Sequence, residues 1–364
     1  MHPLLILATA LLGCKTDQDS VPVGDSVPEI IEVDCTASCE DTSTAEGKAV
    51  CYSCQCKSAM DGWLPSQDEF QCAEGEEIVI YSSDSDGSLS AVDDDVATCA
   101  NPTLLYGTCS PGGRLGQITH GTVTAKFICR RNHYVAGAAS DESLPFDDVG
   151  IILYNARNGA SCWFDDNDGT GIAGRNMPAL DLTGDDADNR AAFLGYYYFT
   201  EGKSCTSCHD NDPFNYTPFL WSVNWTPGSY TFGSFQRVTT SGALESNGTS
   251  ALTSPEAAAC TSCHRISSGA TCSNWAPDSF GAAKGAGYEQ RVVNAAADPE
   301  SDLWWLGTWM PYLYDGDTQE KDHAAWESQY GRARDAVQAC CAQPGVDSTG
   351  ADGTACTWEQ TPEG

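Results

Sequence analysis

The sequence predicts an α+β chain: a disulfide-rich β N-terminal domain over 35–135, followed by a mainly α-helical, loop-rich region over 136–364. Three observations carry that expectation. Nine of the 19 cysteines (Cys35, Cys39, Cys51, Cys54, Cys56, Cys72, Cys99, Cys109 and Cys129) crowd into one stretch punctuated by Gly and Ser, as in a small unit whose modest core is stapled by covalent links. Two runs there, Glu77-Ile78-Val79-Ile80-Tyr81 and Thr122 through Ile128, have the composition and alternation of strands. Helical spacing comes later, after Asp186 and again from His323 to Cys340.

Met1–Gly13 is an apolar run, with Leu4-Leu5-Ile6-Leu7 near its start and Cys14 directly after Leu11-Leu12-Gly13. It is too short to span a bilayer, which takes about 20 apolar residues. The run resembles a bacterial lipoprotein signal peptide with its Leu-Leu-Gly-Cys lipobox, although His2 stands where that family carries Lys or Arg. The resemblance implies cleavage before Cys14, acylation of Cys14, and a lipid-anchored place in the bacterial cell envelope, in the periplasm or at the cell surface. Residues 14–34, with prolines and acids and little apolar content, then read as a flexible acidic tether.

An exported chain can oxidise its thiols, whereas a cytosolic protein rarely carries so many. Setting aside Cys14 and the four cysteines of a repeated motif described below leaves 14, enough for seven bridges in a pairing the sequence does not specify. Cys51-Tyr52-Ser53-Cys54-Gln55 belongs with these and reads as disulfide-bonded. Asp84-Ser85-Asp86-Gly87 and Asp166-Asn167-Asp168-Gly169 resemble calcium loops but have Ser82 and Phe164 at the first ligand position, and only the former has an acid, Asp93, at the twelfth. Both read as solvated acidic turns.

Further on, Gly150–Tyr154 and Ala160–Phe164 flank Asn158-Gly159, the composition of a hairpin and its turn. Asp186 stands where it can cap a helix running through Ala191, Phe193, Leu194 and Tyr197 into Tyr198. That helix leads to Cys205-Thr206-Ser207-Cys208-His209, and the same five residue types recur as Cys260-Thr261-Ser262-Cys263-His264. This spacing attaches c-type haem: the two thiols add to the porphyrin vinyl groups and the next residue gives the iron its proximal imidazole. Random placement of 19 Cys and 6 His yields the pattern about 0.02 times per chain, so two copies are not accidental. A four-cysteine zinc site keeps its halves about 15 to 20 residues apart, much closer than Cys208 and Cys260. A thioredoxin-like pair lacks the alternating strand and helix pattern that would carry it.

For the sixth position on each iron, the candidates beyond Met1 are Met60, Met177 and Met310 with His120, His133 and His323. The region 187–341 resembles class I cytochromes c, in which an aromatic-bearing helix also precedes the motif and a Met-Pro segment supplies the distal ligand. Met177 and Met310 are both followed by proline. The resemblance implies that Met310, 46 residues beyond His264, ligates the second haem, with the helical His323–Cys340 matching the C-terminal helix of that family. No Met or His lies between His209 and Cys260, a departure from the family pattern. For the first haem Met177 is preferred, with His133, His120, His323 and an open site as alternatives. Thioether sulfur favours ferrous iron and raises the potential. Trp221, Trp225, Trp275, Trp304, Trp305 and Trp309 suit either haem packing or an ordinary core, and Cys272, Cys340, Cys341 and Cys356 suffice for two bridges tying down the C-terminal tail.

With 51 acids against 18 bases, net −33, the chain is unsuited to nucleic acid or an anionic lipid surface. The same charge either attracts a basic redox partner protein or serves solubility. Together these readings describe an extracytoplasmic, lipid-anchored dihaem c-type cytochrome, with two covalent haem c groups, that transfers electrons between partners. The alternatives are a dihaem peroxidase-type enzyme with one open iron, though its motifs would be more widely separated, or a haem redox sensor.

Overall fold

A computed structural model describes residues 33–83, 89–92, 99, 101, 109–131, 145–146, 148–166, 172–173, 177–184, 186–198, 201–202, 205–207, 209–210, 212–214, 218–220, 222–223, 233–246, 248–261, 265–275, 327–350 and 353–361. The signal run, Cys14 and nearly all of the tether lie outside the described residues, as do Cys208, Cys263, His264, Met310, His133, His323 and the two acidic turns apart from Asp166. So do the side chains of the six tryptophans singled out above.

The first helix, α1 (Ala45–Ala59), begins where the Thr44 side chain accepts the Gly47 N–H and has Glu46 in its first turn and Lys57 in its last, both favourable to the helix dipole. No periodicity announced it. Its cysteines are spent on two sides: Cys51 and Cys54 bridge to Cys39 and Cys35, while Cys56 bridges to Cys162. A helix buried on several faces shows no amphipathic stripe.

Strands follow in the order β1 (Glu76–Ile78), β2 (Ile80–Ser83), β3 (Leu89–Val92), β4 (Gly113–His120), β5 (Val123–Arg130), β6 (Pro145–Phe146), β7 (Asp148–Asn155), β8 (Ala160–Asp166) and β9 (Ile172–Ala173). Helix α2 (Ala187–Tyr196) is capped by Asp186, whose carboxylate accepts the Asn189 N–H as expected. It stops at Tyr196, and Tyr197–Tyr198 form β10. After these come β11 (Gln236–Val238), β12 (Leu244–Glu245), β13 (Ser250–Leu252), β14 (Ser348–Thr349), β15 (Ala355–Cys356) and β16 (Trp358–Gln360), with the C-terminal helix Arg332–Cys341 before β14.

The main sheet runs β1-β4-β5-β7-β8-β11-β12, with β10 also on β8. It is antiparallel except where β11 lies parallel to β8. The β7–β8 hairpin forms at Asn158-Gly159 as read from the sequence, with Gly159 at φ +71°.

Registers align two kinds of row across this sheet. Phe127, Ile151 and Phe164 stand side by side, as do Ala125, Leu153 and Cys162. These face a core completed by Tyr52 and Cys56 of α1, Phe193 and Tyr196 of α2, and Met60, Phe70, Met177 and Leu180. The intervening row is Lys126, Ile152 and Trp163, and strand pleating turns it to the opposite face. A separate cluster lies at the C-terminal end, where β13 pairs with β16 and Leu252, Ala257 and Cys260 pack on Ala333, Ala336 and Val337.

The described chain is thus a mixed α/β, disulfide-rich protein built on one large sheet. Two expectations are corrected. Residue 135 is no boundary, because β5 and β7 pair over eight positions and Cys56–Cys162 crosses it. The part from 136 onward is not mainly helical among the described residues, since β7, β8, β10, β11 and β12 all enter the sheet. A lone hairpin is marginal in water, so the hairpin visible in the sequence needed β5 as its neighbour.

The seven bridges Cys35–Cys54, Cys39–Cys51, Cys56–Cys162, Cys72–Cys129, Cys99–Cys109, Cys272–Cys341 and Cys340–Cys356 use all 14 cysteines left over by the sequence count. The Cys56–Cys162 bridge has a sequence separation of 106 and Cys99–Cys109 only 10. Loop-closure entropy then predicts that replacing both cysteines of the long bridge by Ala costs about 4–5 kcal/mol, against about 2.5–3 kcal/mol for the short one. Chemical denaturation of the two double mutants measures the difference.

Candidate functional site

The first motif segment lies on the sheet face that carries Trp163. The chain arrives through Gly202, at φ +72°, where a Cβ would come within 2.3 Å of the Trp163 indole. Both the amide and the hydroxyl of Thr206 donate to the Gly202 carbonyl, at 2.8 and 2.9 Å. The His209 amide donates to the Cys205 carbonyl at 2.8 Å, the i to i+4 contact of a helical turn, which sets the first thiol and the imidazole on one side.

The His209 ring packs edge-on against Trp163 with centroids 5.1 Å apart. Its Nδ1 lies 3.0 Å from the Pro213 carbonyl. A carbonyl only accepts, so Nδ1 carries the hydrogen and Nε2 holds the lone pair, the tautomer a metal-binding histidine needs. Burial pulls this imidazole down to about 4, against the opposing pull of the Pro213 carbonyl, so it is neutral at pH 7. Around it, Tyr154, Trp163, Phe214 and Phe235 form an aromatic cluster with half-buried Cys205 at its edge.

Lys126 is buried on the same face, its ammonium 5.0 Å from the centre of the Phe214 ring. Desolvation lowers it to about 7.

Of the second motif, Cys260 and Thr261 are described, and the chain beyond it is described from Arg265. Cys260 carries no disulfide. Burial pushes its thiol up to about 12, and since the thiolate is the reacting form, it is protected from exchange with the seven bridges. Cys205 also stands outside the disulfide framework. Among the described residues, the cysteines without a bridge are therefore one from each motif.

The structure joins the segments that follow the two motifs, which no local sequence signal indicated. Buried Asp210 accepts from the Ser267 hydroxyl, and from the Thr271 hydroxyl and amide at 2.8 and 3.2 Å. Its backbone carbonyl accepts from the Thr249 hydroxyl at 2.8 Å. Arg265 Nε lies 3.6 Å from Asp212, and the same guanidinium donates to the Gly233 carbonyl at 2.7 Å.

Other candidates are placed elsewhere. Met177 is fully buried in the core on the opposite face, its sulfur 3.9 Å from Cys72 Sγ; the structure does not bring it to His209, because β8 lies between them. Met60 belongs to that same core. His120 stacks on Trp63 with centroids 5.1 Å apart. Asp148, Asp165 and Asp166 lie close together, and Arg130 pairs with Asp148 at 2.7 Å. Comparison with protein-family models, curated proteins and solved structures finds no match to this chain.

Two outcomes test this arrangement. Gly202→Ala meets both a left-handed backbone and the Trp163 ring, so it is expected to cost about 2–4 kcal/mol; Gly121→Ala, at φ +59° with nothing within 4 Å, should cost only about 1–2 kcal/mol. Unfolding curves give both values. Lys126 is about 7 when folded and near 10.4 when unfolded, so the unfolded chain holds more protons between those values and stability rises with pH across the window. The rise should be absent in Lys126→Met, so that the wild-type denaturation midpoint rises relative to that of Lys126→Met from about pH 7 to about pH 10.

Proposed function

We propose that the chain is a dihaem c-type cytochrome with electron transfer as its activity, haem being attached through Cys205, Cys208, Cys260 and Cys263 and held on iron by His209 and His264. The observation that carries this reading is the exclusion of Cys205 and Cys260 from a framework that pairs every other described cysteine. Two thiols set apart in a disulfide-rich protein, each opening the same Cys-x-x-Cys-His run, have a use other than bridging.

The residues around the first motif fit such a group. His209 is neutral and oriented through Nδ1, and the adjoining aromatic cluster offers flat apolar surface that excludes water. Bound there, haem supplies a one-electron iron couple tuned by its axial ligands and surroundings. Met310 remains the proposed sixth ligand of the second iron, on the strength of the family resemblance. The lipobox at Cys14 supports export and lipid anchoring in the cell envelope, and the charge of −33 supports a basic redox partner protein.

A second reading has one observation in its favour. Met177 is committed to the core and His120 to Trp63, so neither described candidate stands beside His209. An open first iron would suit a peroxidase-type enzyme or a redox sensor.

The experiment is expression of the full chain in a host competent for haem attachment, followed by mass and optical spectra. The mature product should be red and heavier than the apoprotein by two haems, and a colourless product of bare polypeptide mass would overturn the proposal. Met310→Ala should lower the potential of one haem. Met177→Ala should leave both haem spectra unchanged and cost about 2–5 kcal/mol of stability as a core truncation. Rapid binding of carbon monoxide or cyanide at one haem would favour the enzyme or sensor.

A further inference from the structure

The two motifs are separated by fifty residues, yet the segments leaving them are joined by buried polar contacts. Asp210 directly follows His209, and Arg265 directly follows His264. Each reaches into the other motif's exit segment: Asp210 to Ser267 and Thr271, and Arg265 to Asp212, which stands three residues beyond His209.

The joint is built to be close. Ser267 donates to Asp210 while accepting the Gly269 amide at 2.8 Å. Gly269 leaves no room for a side chain, because a Cβ there would come within 2.5 Å of Asp210 Oδ2. The Ser267 segment is also tied to β13, through Leu252 N–H to the Ile266 carbonyl and Ser268 N–H to the Ser250 carbonyl, both at 2.8 Å. Thr271 precedes Cys272, which is bridged to Cys341 of the C-terminal helix. On the other side, the segment containing His209, Pro213 and Phe214 is fixed to Trp163 and Tyr154 on the sheet. Each half is therefore anchored to its own core, and Asp210 is where the two anchored segments meet.

We infer that Asp210 is a positioning residue: with Ser267, Thr271 and Gly269 it fixes the spacing of the two motifs, so that the two haems form one electron-exchanging pair within the chain. This rests on the haem reading above. A buried carboxylate is costly unless its oxygens are satisfied. Three hydrogen bonds from Ser267 and Thr271 reach this carboxylate through the partner segment, so these contacts are lost if the segments separate. Haems held at the two motifs would exchange electrons within the polypeptide, so that an external donor and acceptor need not dock at the same haem.

The test uses the full chain carrying its haems, with wild type beside Asp210→Ala, Asp210→Asn, Gly269→Ala and Thr271→Val. Mass gives the haem count, the spectrum of each haem reports its own ligation, and two measurements report the pair: the magnetic interaction between the two ferric irons and the rate of intramolecular electron exchange in the half-reduced protein. With two haems attached and each spectrum unchanged, Asp210→Ala and Gly269→Ala should weaken the interaction and slow exchange severalfold. Asp210→Asn keeps one acceptor oxygen and should fall between them and wild type. Interaction and exchange equal to wild type in Gly269→Ala and Thr271→Val would overturn the inference, including where Asp210→Ala does not fold. Wild type without haem would instead overturn the reading beneath it, which the mass decides before any variant is compared.

Discussion

The alternation of β8 is the constraint on which the remaining structure depends. Successive residues of a strand point to opposite faces, and here Cys162 points into the main core while Trp163 points away from it. Cys162 locks α1 to the sheet through Cys56, and Trp163 receives the His209 ring. A one-residue slip would exchange these faces, exposing the disulfide position and burying the indole where α1 packs. Pairing to β7 on one edge and to β11 and β10 on the other fixes the register.

The covalent framework follows the same division. Five of the bridges secure the helix α1, the sheet and the loops around them, and two secure the C-terminal helix to Cys272 and to β15. The bridges constrain the unfolded chain more than they add contacts, which suits an acidic protein whose net charge of −33 opposes compaction. Leaving Cys205 and Cys260 outside this framework requires that they be kept from exchanging with it. For Cys260 burial does so by holding the thiol protonated.

Local features of this fold were legible where local physics decides them. The Asn158-Gly159 turn, the Asp186 cap and the strand alternation around Val123–Ile128 each show in a handful of neighbouring residues. So did the number of bridges, because it follows from counting. Helix α1 was hidden because its cysteines face two different partners. The domain boundary expected at 135 failed because composition changes there while strand pairing does not. Met177 in a Met-Pro pair looks the same whether its sulfur meets an iron or Cys72; only the face of the sheet distinguishes the two. The motifs themselves were plain, but Gly202, Trp163, Pro213 and Asp210 act across distances in sequence, or through backbone geometry, that no spacing rule reports.

Charge is distributed against its average in the same way. In a chain with only 18 bases, Lys126, Arg131 and Arg265 are 3, 5 and 6% exposed. Lys126 sits over Phe214 and Arg265 follows the second motif, so cationic groups are buried beside both motif segments. Arg130, paired with Asp148, adds its field at His209 and helps to hold that imidazole neutral. Charges within the protein are screened far less than those on its surface. The local field at the motif face is therefore set by a few buried cations and their partners, while the many surface acids act mainly on what approaches from outside.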